Sequence, residues 1–187
     1  GLVGSEMCIR DRFNTYKNKS QALKNCKKII KETKCDGIKL EGGSKIKDII
    51  KHLVNNKIPV MGHIGITPQS QRGKFRYKGK NEKEKKNLLN DSKILEEAGV
   101  FAIVLECIEK KLSKKITETI EIPTIGIGSS KFCDGQILVL DDLLGLTNSK
   151  IKFVKKYANF KSNIRNAVKK FGSDVKRGSY PSLKHSY

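Results

Sequence analysis

Short, continuously apolar runs alternate with one-sided apolar stripes along most of the chain. The stripes follow the three- and four-residue spacing of an amphipathic helix, and the clearest has apolar side chains at Ile46, Ile49, Ile50, Leu53 and Val54. Continuous runs are typical of strands that a parallel sheet buries on both faces. The alternation predicts an α/β protein whose strands occupy residues 37–40, 60–64, 101–105, 123–127 and 137–140.

Helices are predicted between these strands and again after residue 150. Ser20 and Ser44 precede apolar stripes and are candidate N-cap residues. Another helix is expected over about residues 84–98, after a polar and basic stretch, residues 70–82, that we expect to be a loop. Beyond residue 150 the helical spacing is carried first by Ile151, Val154 and Tyr157, and then by Ile164, Val168, Phe171 and Val175.

Two of the predicted strands resemble each other. Residues 58–65 read IPVMGHIG and residues 122–128 read IPTIGIG. A repeated strand with small residues on one side favours a (β/α)8 TIM barrel, whose strands share one interior. A doubly wound sheet, which closes with about five strands, is the alternative. Because a barrel has eight strands, we expect about three further strands before Phe13.

The chain is expected to divide into a short foreign segment and one partial domain. Residues 1–12 lack the lysine, isoleucine and asparagine bias of the rest, and we expect them to be non-native and adaptor-derived. Residues 13–150 are predicted to form a partial (β/α)8 barrel holding about its last five strands. Residues 151–187 would add the C-terminal helices and tail of the same domain. The chain is therefore interpreted as N-terminally truncated.

The formal net charge of +20 over 187 residues first suggests a nucleic-acid-binding protein. Lysine, however, supplies 33 of the 39 basic residues. Arginine has the planar fork suited to phosphates and base edges, and it is scarce here. Since no nucleic-acid motif is visible either, we predict no nucleic-acid partner. A basic nucleic-acid-binding α/β module is kept as an alternative function.

The cysteine pattern indicates a reducing compartment. The five cysteines are scattered and form no CxxC pair, which argues against a zinc site or a disulfide framework. Reduced thiols are typical of cytoplasmic proteins, so a cytoplasmic location is predicted. No apolar run approaches the roughly 20 residues of a membrane span, so no membrane association is expected.

Polar side chains stand at the carboxyl ends of the predicted strands, where parallel α/β proteins place their active sites. Lys39 and Glu41 are two residues apart and therefore share one face of a strand. An ammonium beside a carboxylate suits the binding of a substrate carboxylate next to a metal, and a buried ion pair is the structural alternative. His63 lies in an otherwise apolar strand before a polar turn, and is either a site residue or a core histidine.

A third strand end carries a carboxylate. Glu106 follows the run FAIVL, so apolar surroundings would raise its pKa and make it a usable general base. The alternative is a surface carboxylate paired with Lys110 or Lys111. Cys107 has no partner histidine in the sequence pattern and is interpreted as a core thiol.

Together these segments resemble the ketopantoate hydroxymethyltransferase family. The matching segments occur in the family's order and are DGIKLEGG (36–43), PVMGHIGITPQS (59–70), AGVFAIVLECI (98–108), IPTIGIGSSKFCDGQILVLDDLLGL (122–146) and KRGSYPSLKHSY (176–187). The resemblance implies a (β/α)8 barrel that binds Mg²⁺. It implies transfer of a one-carbon unit from 5,10-methylenetetrahydrofolate to 3-methyl-2-oxobutanoate through a stabilised enolate, giving 2-dehydropantoate for pantothenate biosynthesis.

The resemblance also implies roles for residues of this chain. Glu41 corresponds to a metal-site glutamate, Lys39 to the lysine that binds the 2-oxo acid, and Glu106 to the proton acceptor, while His63 lines the substrate pocket. A homo-oligomer is implied as well.

Two departures concern the metal site. The family has two further acidic residues there: one would fall where this chain has Arg10, and the other belongs to an Asp-Ser motif that the chain lacks. Because an open barrel exposes strand edges, we expect the 187-residue chain to be inactive by itself. Another Mg²⁺-dependent 2-oxo-acid lyase or aldolase on a related barrel is the remaining alternative.

Overall fold

The computed structural model describes the backbone of residues 8–10 and the whole of residues 15–68 and 76–187. The chain forms two compact units, Gly1–Ile137 and Leu138–Tyr187, which are described separately. No helix in the described ranges combines the length and apolar character needed to cross a membrane.

The first unit contains a sheet and the helices that cover it. Its strands are β1 Cys8–Arg10, β2 Gly37–Glu41, β3 Val60–Gly65, β4 Ala102–Glu106, β5 Thr124–Ile127 and β6 Gly135–Gln136. Its α-helices are α1 Lys19–Thr33, α2 Lys47–Asn55, α3 Glu82–Glu97 and α4 Lys110–Thr119, and a 3₁₀ turn, Ser44–Ile46, precedes α2. The second unit contains α5 Leu140–Leu143, α6 Phe160–Lys176 and a 3₁₀ turn, Leu183–His185.

The strands of the sheet follow one another in chain order, β1-β2-β3-β4-β5-β6, and every pair is parallel. A doubly wound sheet would reverse its strand order part-way across. Consecutive right-handed crossovers instead place all helices on one side of the sheet, as in a TIM barrel. The strand order therefore confirms the predicted parallel α/β fold of the barrel type and contradicts the doubly wound alternative.

The two faces of the sheet differ in chemistry. One face is apolar and packs against the helices; its core cluster includes Ile38, Leu40, Ile64, Ile103 and Leu105. The register pairs Glu41 with His63 and Gly65 with Glu106, so these residues share the opposite face. Lys39 lies two residues before Glu41 and belongs to this second face too. The polar residues predicted for the site are therefore gathered on the face away from the helices.

The prediction of the last strand, over residues 137–140, was wrong. Residues 137–140 were expected to be extended, but the strand is the short β6 just before them, and Val139 already caps helix α5. Val139 and Leu140 are exposed. A four-residue apolar run does not distinguish a strand from the start of a helix, and Asp141 and Asp142 in the first turn favour the helix.

Several helix boundaries also differ from the prediction. Asn18, rather than Ser20, caps α1 by accepting a hydrogen bond from the backbone N–H of Gln21. Ser44 begins the 3₁₀ turn that precedes α2 instead of capping the helix itself. In each case neighbouring polar residues compete for the same cap, and spacing alone does not choose between them.

The predicted helix around Ile151–Tyr157 is absent from the second unit, where residues 151–159 are irregular. The backbone N–H groups of Tyr157 and Phe160 donate to the carbonyls of Leu143 and Leu144 at the end of α5. These hydrogen bonds connect the irregular segment to the end of α5, in place of the bonds that the predicted helix would have made within itself. The later helical prediction is confirmed, since α6 contains the apolar positions from Ile164 to Val175.

Residues 8–10 lie in the segment that sequence analysis left out of the fold. In the structure their backbone forms the edge strand β1, which pairs with β2 in the register Cys8–Gly37 to Arg10–Lys39.

Candidate active site at the strand ends

The four predicted site residues meet at the carboxyl ends of β2, β3 and β4, with Lys39, Glu41 and Glu106 placed around the imidazole of His63. The Nε2 atom of His63 lies 3.2 Å from Oε2 of Glu106, and its Nδ1 atom lies 3.6 Å from Oε1 of Glu41. The ammonium of Lys39 lies 3.3 Å from the same Nδ1 atom. The structure thus brings the three other predicted residues to the two ring nitrogens of His63.

Their burial differs in a way that matters for chemistry. His63 is fully buried and Glu41 is 3% exposed, whereas the Glu106 side chain keeps 17% of its surface accessible. Of the carboxylates in this group, Glu106 is thus the one open to a reactant. Its pairing with His63 contradicts the surface interpretation, in which Lys110 or Lys111 would neutralise it.

The end of β4 is held by residues that the sequence analysis did not assign to the site. Gly65 has a φ of +101°, and a Cβ there would overlap the carbonyl oxygen of Glu106. The backbone N–H of Ile66 donates to that carbonyl over 2.9 Å. The hydroxyl of Ser129 donates to the carbonyl of Leu105 over 2.7 Å and accepts from the N–H of Ile108 over 3.1 Å.

A glycine directly after an apolar strand was the available signal for Gly65. The bridging role of Ser129 has no such signal, because its partners are more than 20 residues away. The serines of the turn formed by residues 126–130 hold neighbouring segments together, for example through the Ser130 carbonyl, which accepts from Nε2 of Gln136.

Cys107, next to Glu106, is not suited to act as a nucleophile. Burial raises the pKa of its thiol to about 11, and the nearby carboxylate of Glu106 adds to the effect. The residue is half-buried and has a φ of +51°. It is therefore a protonated thiol at neutral pH, which agrees with the non-catalytic interpretation.

The segment before α3 docks beside the site. The backbone of Lys78 donates to the Cys107 carbonyl over 2.8 Å and accepts from the Glu109 N–H over 2.9 Å. The Glu84 carboxylate accepts from the N–H groups of Gly79 and Lys80, which lowers the pKa of Glu84. Residues 69–75 of the expected loop lie outside the described residues.

The donor set for a metal is small. The described ranges contain no group of three or more His, Cys, Asp or Glu side chains arranged to hold a metal ion. Mg²⁺ is commonly held by one or two carboxylates, with waters and substrate oxygens completing its shell. Glu41, a buried carboxylate at a strand end, fits one such position, and the side chain of Arg10 is not among those described.

A sequentially wound parallel sheet with an imidazole, two carboxylates and an ammonium at its strand ends defines an α/β barrel-type protein with a candidate active site. Comparison with known families agrees with this class. The family described as ketopantoate hydroxymethyltransferase matches residues 5–183, and the chain belongs to that family.

Curated relatives carry the name 3-methyl-2-oxobutanoate hydroxymethyltransferase. The chain is 56% identical over its 187 residues to the protein of Pelagibacter ubique (strain HTCC1062), of which it covers 72%. Over 89% of its length it is 51% identical to the protein of Clostridium botulinum (strain Langeland / NCTC 10281 / Type F), covering 62% of it. Over 94% of its length the chain is 49% identical to the protein of Helicobacter pylori (strain ATCC 700392 / 26695), and it covers 66% of that protein.

Among solved structures, a dihydrodipicolinate synthase is 15% identical, with a TM-score of 0.43 over 65% of this chain and 45% of that one.

Proposed function

We propose that the whole protein transfers a hydroxymethyl group from 5,10-methylenetetrahydrofolate to 3-methyl-2-oxobutanoate, giving 2-dehydropantoate. The proposal is supported above all by the partly exposed carboxylate of Glu106, which lies 3.2 Å from a buried imidazole at the end of β4. Family membership and the names of the relatives point to the same reaction.

Lys39 binds the carboxylate of the 2-oxo acid in this proposal. Its ammonium is partly buried on the polar face of β2, two residues before Glu41. A charge-assisted hydrogen bond between ammonium and carboxylate is stronger there than in bulk water. His63, fully buried, lies behind Lys39 and Glu106 at the base of the proposed substrate pocket.

Glu41 would hold Mg²⁺, together with water and substrate oxygens. When bound, the ion acts as a Lewis acid that makes the proton on C3 of the 2-oxo acid easier to remove. Since Glu41 is nearly enclosed, its carboxylate is kept away from bulk water.

Glu106 accepts the proton from C3 of the 2-oxo acid. The carbanion equivalent left at C3 attacks the methylene carbon of the folate co-substrate. One water supplies the hydroxyl group, and tetrahydrofolate leaves with the balancing proton. The partial exposure of Glu106 is what gives the substrate access to this base.

The proposal includes a cytoplasmic location and a homo-oligomeric whole protein. The four described cysteines, Cys26, Cys35, Cys107 and Cys133, are free thiols, which supports a reducing compartment. The oligomer rests on the family resemblance.

The proposal is tested by exchange of the C3 proton with D₂O, followed by NMR, in the protein extended to the length of its relatives. This exchange needs the 2-oxo acid and Mg²⁺ but no folate, so it isolates the proton transfer. Glu106→Gln should slow it by about 10²–10⁴-fold, the usual contribution of a general base. Glu118→Gln, on the exposed side of α4, is the matched control.

Two outcomes bear directly on the roles assigned. Exchange at near-wild-type rates in Glu106→Gln would remove Glu106 as the base. Turnover with folate should follow the same ranking of variants, while the 187-residue chain alone should be inactive because an open barrel exposes strand edges.

A further inference from the structure

His63 is surrounded by charged groups and has no exposed surface. The ammonium of Lys39 and the carboxylate of Glu41 lie on its Nδ1 side, at 3.3 Å and 3.6 Å. The carboxylate of Glu106 lies on its Nε2 side, at 3.2 Å. A buried imidazole so placed must adopt the protonation pattern that these neighbours favour.

The contacts discriminate between the two neutral tautomers. An ammonium only donates hydrogen bonds and a carboxylate only accepts them. With the proton on Nε2, Nδ1 accepts from Lys39 and Nε2–H faces Glu106. With the proton on Nδ1, an N–H would face the ammonium at 3.3 Å and a lone pair would face the Glu106 carboxylate at 3.2 Å, so both of the shorter contacts would be repulsive. Only the longer contact of Nδ1 with Oε1 of Glu41, at 3.6 Å, would favour that tautomer.

From this geometry we infer that His63 is a positioning residue. Lys39 holds it in the Nε2–H tautomer, and the Nε2–H group in turn orients the carboxylate of Glu106. The inference rests on the proposed function, because it takes Glu106 as the proton acceptor. It adds a task for Lys39 besides binding the 2-oxo acid.

The alignment at Nε2 is consistent with a contact that tightens on substrate binding. Nε2 of His63 and Oε2 of Glu106 are 3.2 Å apart, which is short enough for a hydrogen bond. The two groups are not aligned well enough to form a full hydrogen bond in this structure. Hydrogen bonds in catalytic sites are often long or poorly aligned before the substrate is bound. Once Oε2 is held by His63, Oε1 is the oxygen left to face the substrate.

Lys39 has enough donors to serve both partners. Its three N–H groups allow one bond to Nδ1 of His63 while others reach the carboxylate of the 2-oxo acid. Substrate binding at Lys39 and orientation of Glu106 are thereby linked through one imidazole. The link runs across three neighbouring strands, β2, β3 and β4.

The tautomer is measured directly by ¹⁵N NMR of the chain labelled at histidine, where Nδ1 and Nε2 give separate signals. The two other histidines are His52 on α2 and the exposed His185, and His52→Gln and His185→Gln assign their signals. We expect His63 to show the Nε2–H tautomer in about tenfold or greater excess over the Nδ1–H form.

Variants at Lys39 separate the positioning role from a structural one. Lys39→Met removes the donor, and the tautomer ratio at His63 should fall by about tenfold or more. Lys39→Arg keeps a cationic donor of similar reach and should preserve the ratio. If Lys39→Met does not fold, Lys39→Leu supplies the comparison without a donor.

The inference is overturned by an Nδ1–H tautomer or a doubly protonated imidazolium in the wild-type chain, by an unchanged ratio in the variant without a donor, or by equal effects of the Met and Arg replacements. These outcomes do not depend on turnover. A chain that shows the expected tautomer but whose extended form catalyses no C3 exchange would refute the proposed function and leave the geometry of His63 intact.

Discussion

Gly65 and Glu106 are paired across β3 and β4, and the backbone of Glu106 leaves no room for a side chain at position 65. A Cβ at position 65 would overlap the Glu106 carbonyl oxygen and would lie 2.9 Å from Cγ1 of Ile108. The φ of +101° at Gly65 is also a conformation that side-chain-bearing residues rarely adopt. The position of the proposed base therefore depends on a glycine in the neighbouring strand.

Gly65→Ala should destabilise the chain and displace the end of β4. The backbone strain alone is expected to lower the free energy of unfolding by about 1–3 kcal/mol. Denaturant titration measures this loss. Gly172→Ala is the control, because position 172 lies in helix α6 with open space around it and should gain about 0.5–1 kcal/mol. A neutral Gly65→Ala would contradict the close packing described here.

Cys107 should resist alkylation at neutral pH. Because the pKa of its thiol is raised to about 11, the thiolate fraction should be only about one in a thousand at pH 8. Iodoacetamide labelling, followed by peptide mass spectrometry, should accelerate about tenfold per pH unit until the pH approaches that pKa. Glu106→Gln should increase the rate, since the carboxylate contributes to the raised pKa. Rapid labelling of Cys107 at pH 7 would refute this assignment.

Glu84 should stabilise the segment before α3 in a pH-dependent manner. Its pKa is lowered below 4.5 chiefly by the backbone N–H of Lys80, with Gly79 and Arg76 also contributing. A lowered folded-state pKa gives stability that is present above the ordinary pKa and is lost as the pH falls through the folded value. Glu84→Gln should therefore cost about 0.5–1.5 kcal/mol at pH 7.

The difference between wild type and Glu84→Gln should shrink below about pH 4.5, where the carboxylate of the unfolded chain takes up its proton, and should be lost as the pH falls through the lowered pKa of the folded state. Unfolding curves at several pH values measure it. Glu118→Gln, at a side chain that is 61% exposed, should show little difference at any pH. A constant difference down to pH 2 would contradict the assigned role of the charge.

Asp134 should be needed for the start of β5. One carboxylate oxygen accepts from the N–H and the hydroxyl of Thr124, at 2.8 Å and 3.0 Å, and Thr124 is fully buried. Asp134→Ala leaves a buried donor unsatisfied and should cost about 1–3 kcal/mol in thermal or denaturant unfolding. Asp134→Asn retains a carbonyl acceptor and should cost less. Equal losses in the two variants would argue against the hydrogen bonds as the cause.

The local pattern of apolar and polar residues was sufficient to predict most strands of the sheet. The strands β2, β3 and β4 were predicted to within one residue at each end, because each is a short and mainly apolar run next to glycine or proline. The short strand β6 was missed, since two residues of pairing leave almost no periodic signal. Helix starts were displaced for a related reason, because several polar residues near each start could cap it.

The candidate site was predicted as a set of strand-end residues and not as a set of contacts. Strand alternation placed Lys39 and Glu41 on one face, and parallel order placed Glu106 at the same edge. It did not show that His63 separates the two carboxylates. The supporting roles of Gly65 and Ser129 were also missed, because their partners lie on other strands and loops.

By itself the sequence determined the class of fold, the family and the residue types at the strand ends, because these depend on local periodicity and on short motifs. The tertiary structure decided which charged groups lie beside each ring nitrogen of His63, how exposed Glu106 is and why position 65 must be glycine. These properties depend on distances of about 3 Å between segments far apart in the chain, and only the packed sheet sets such distances.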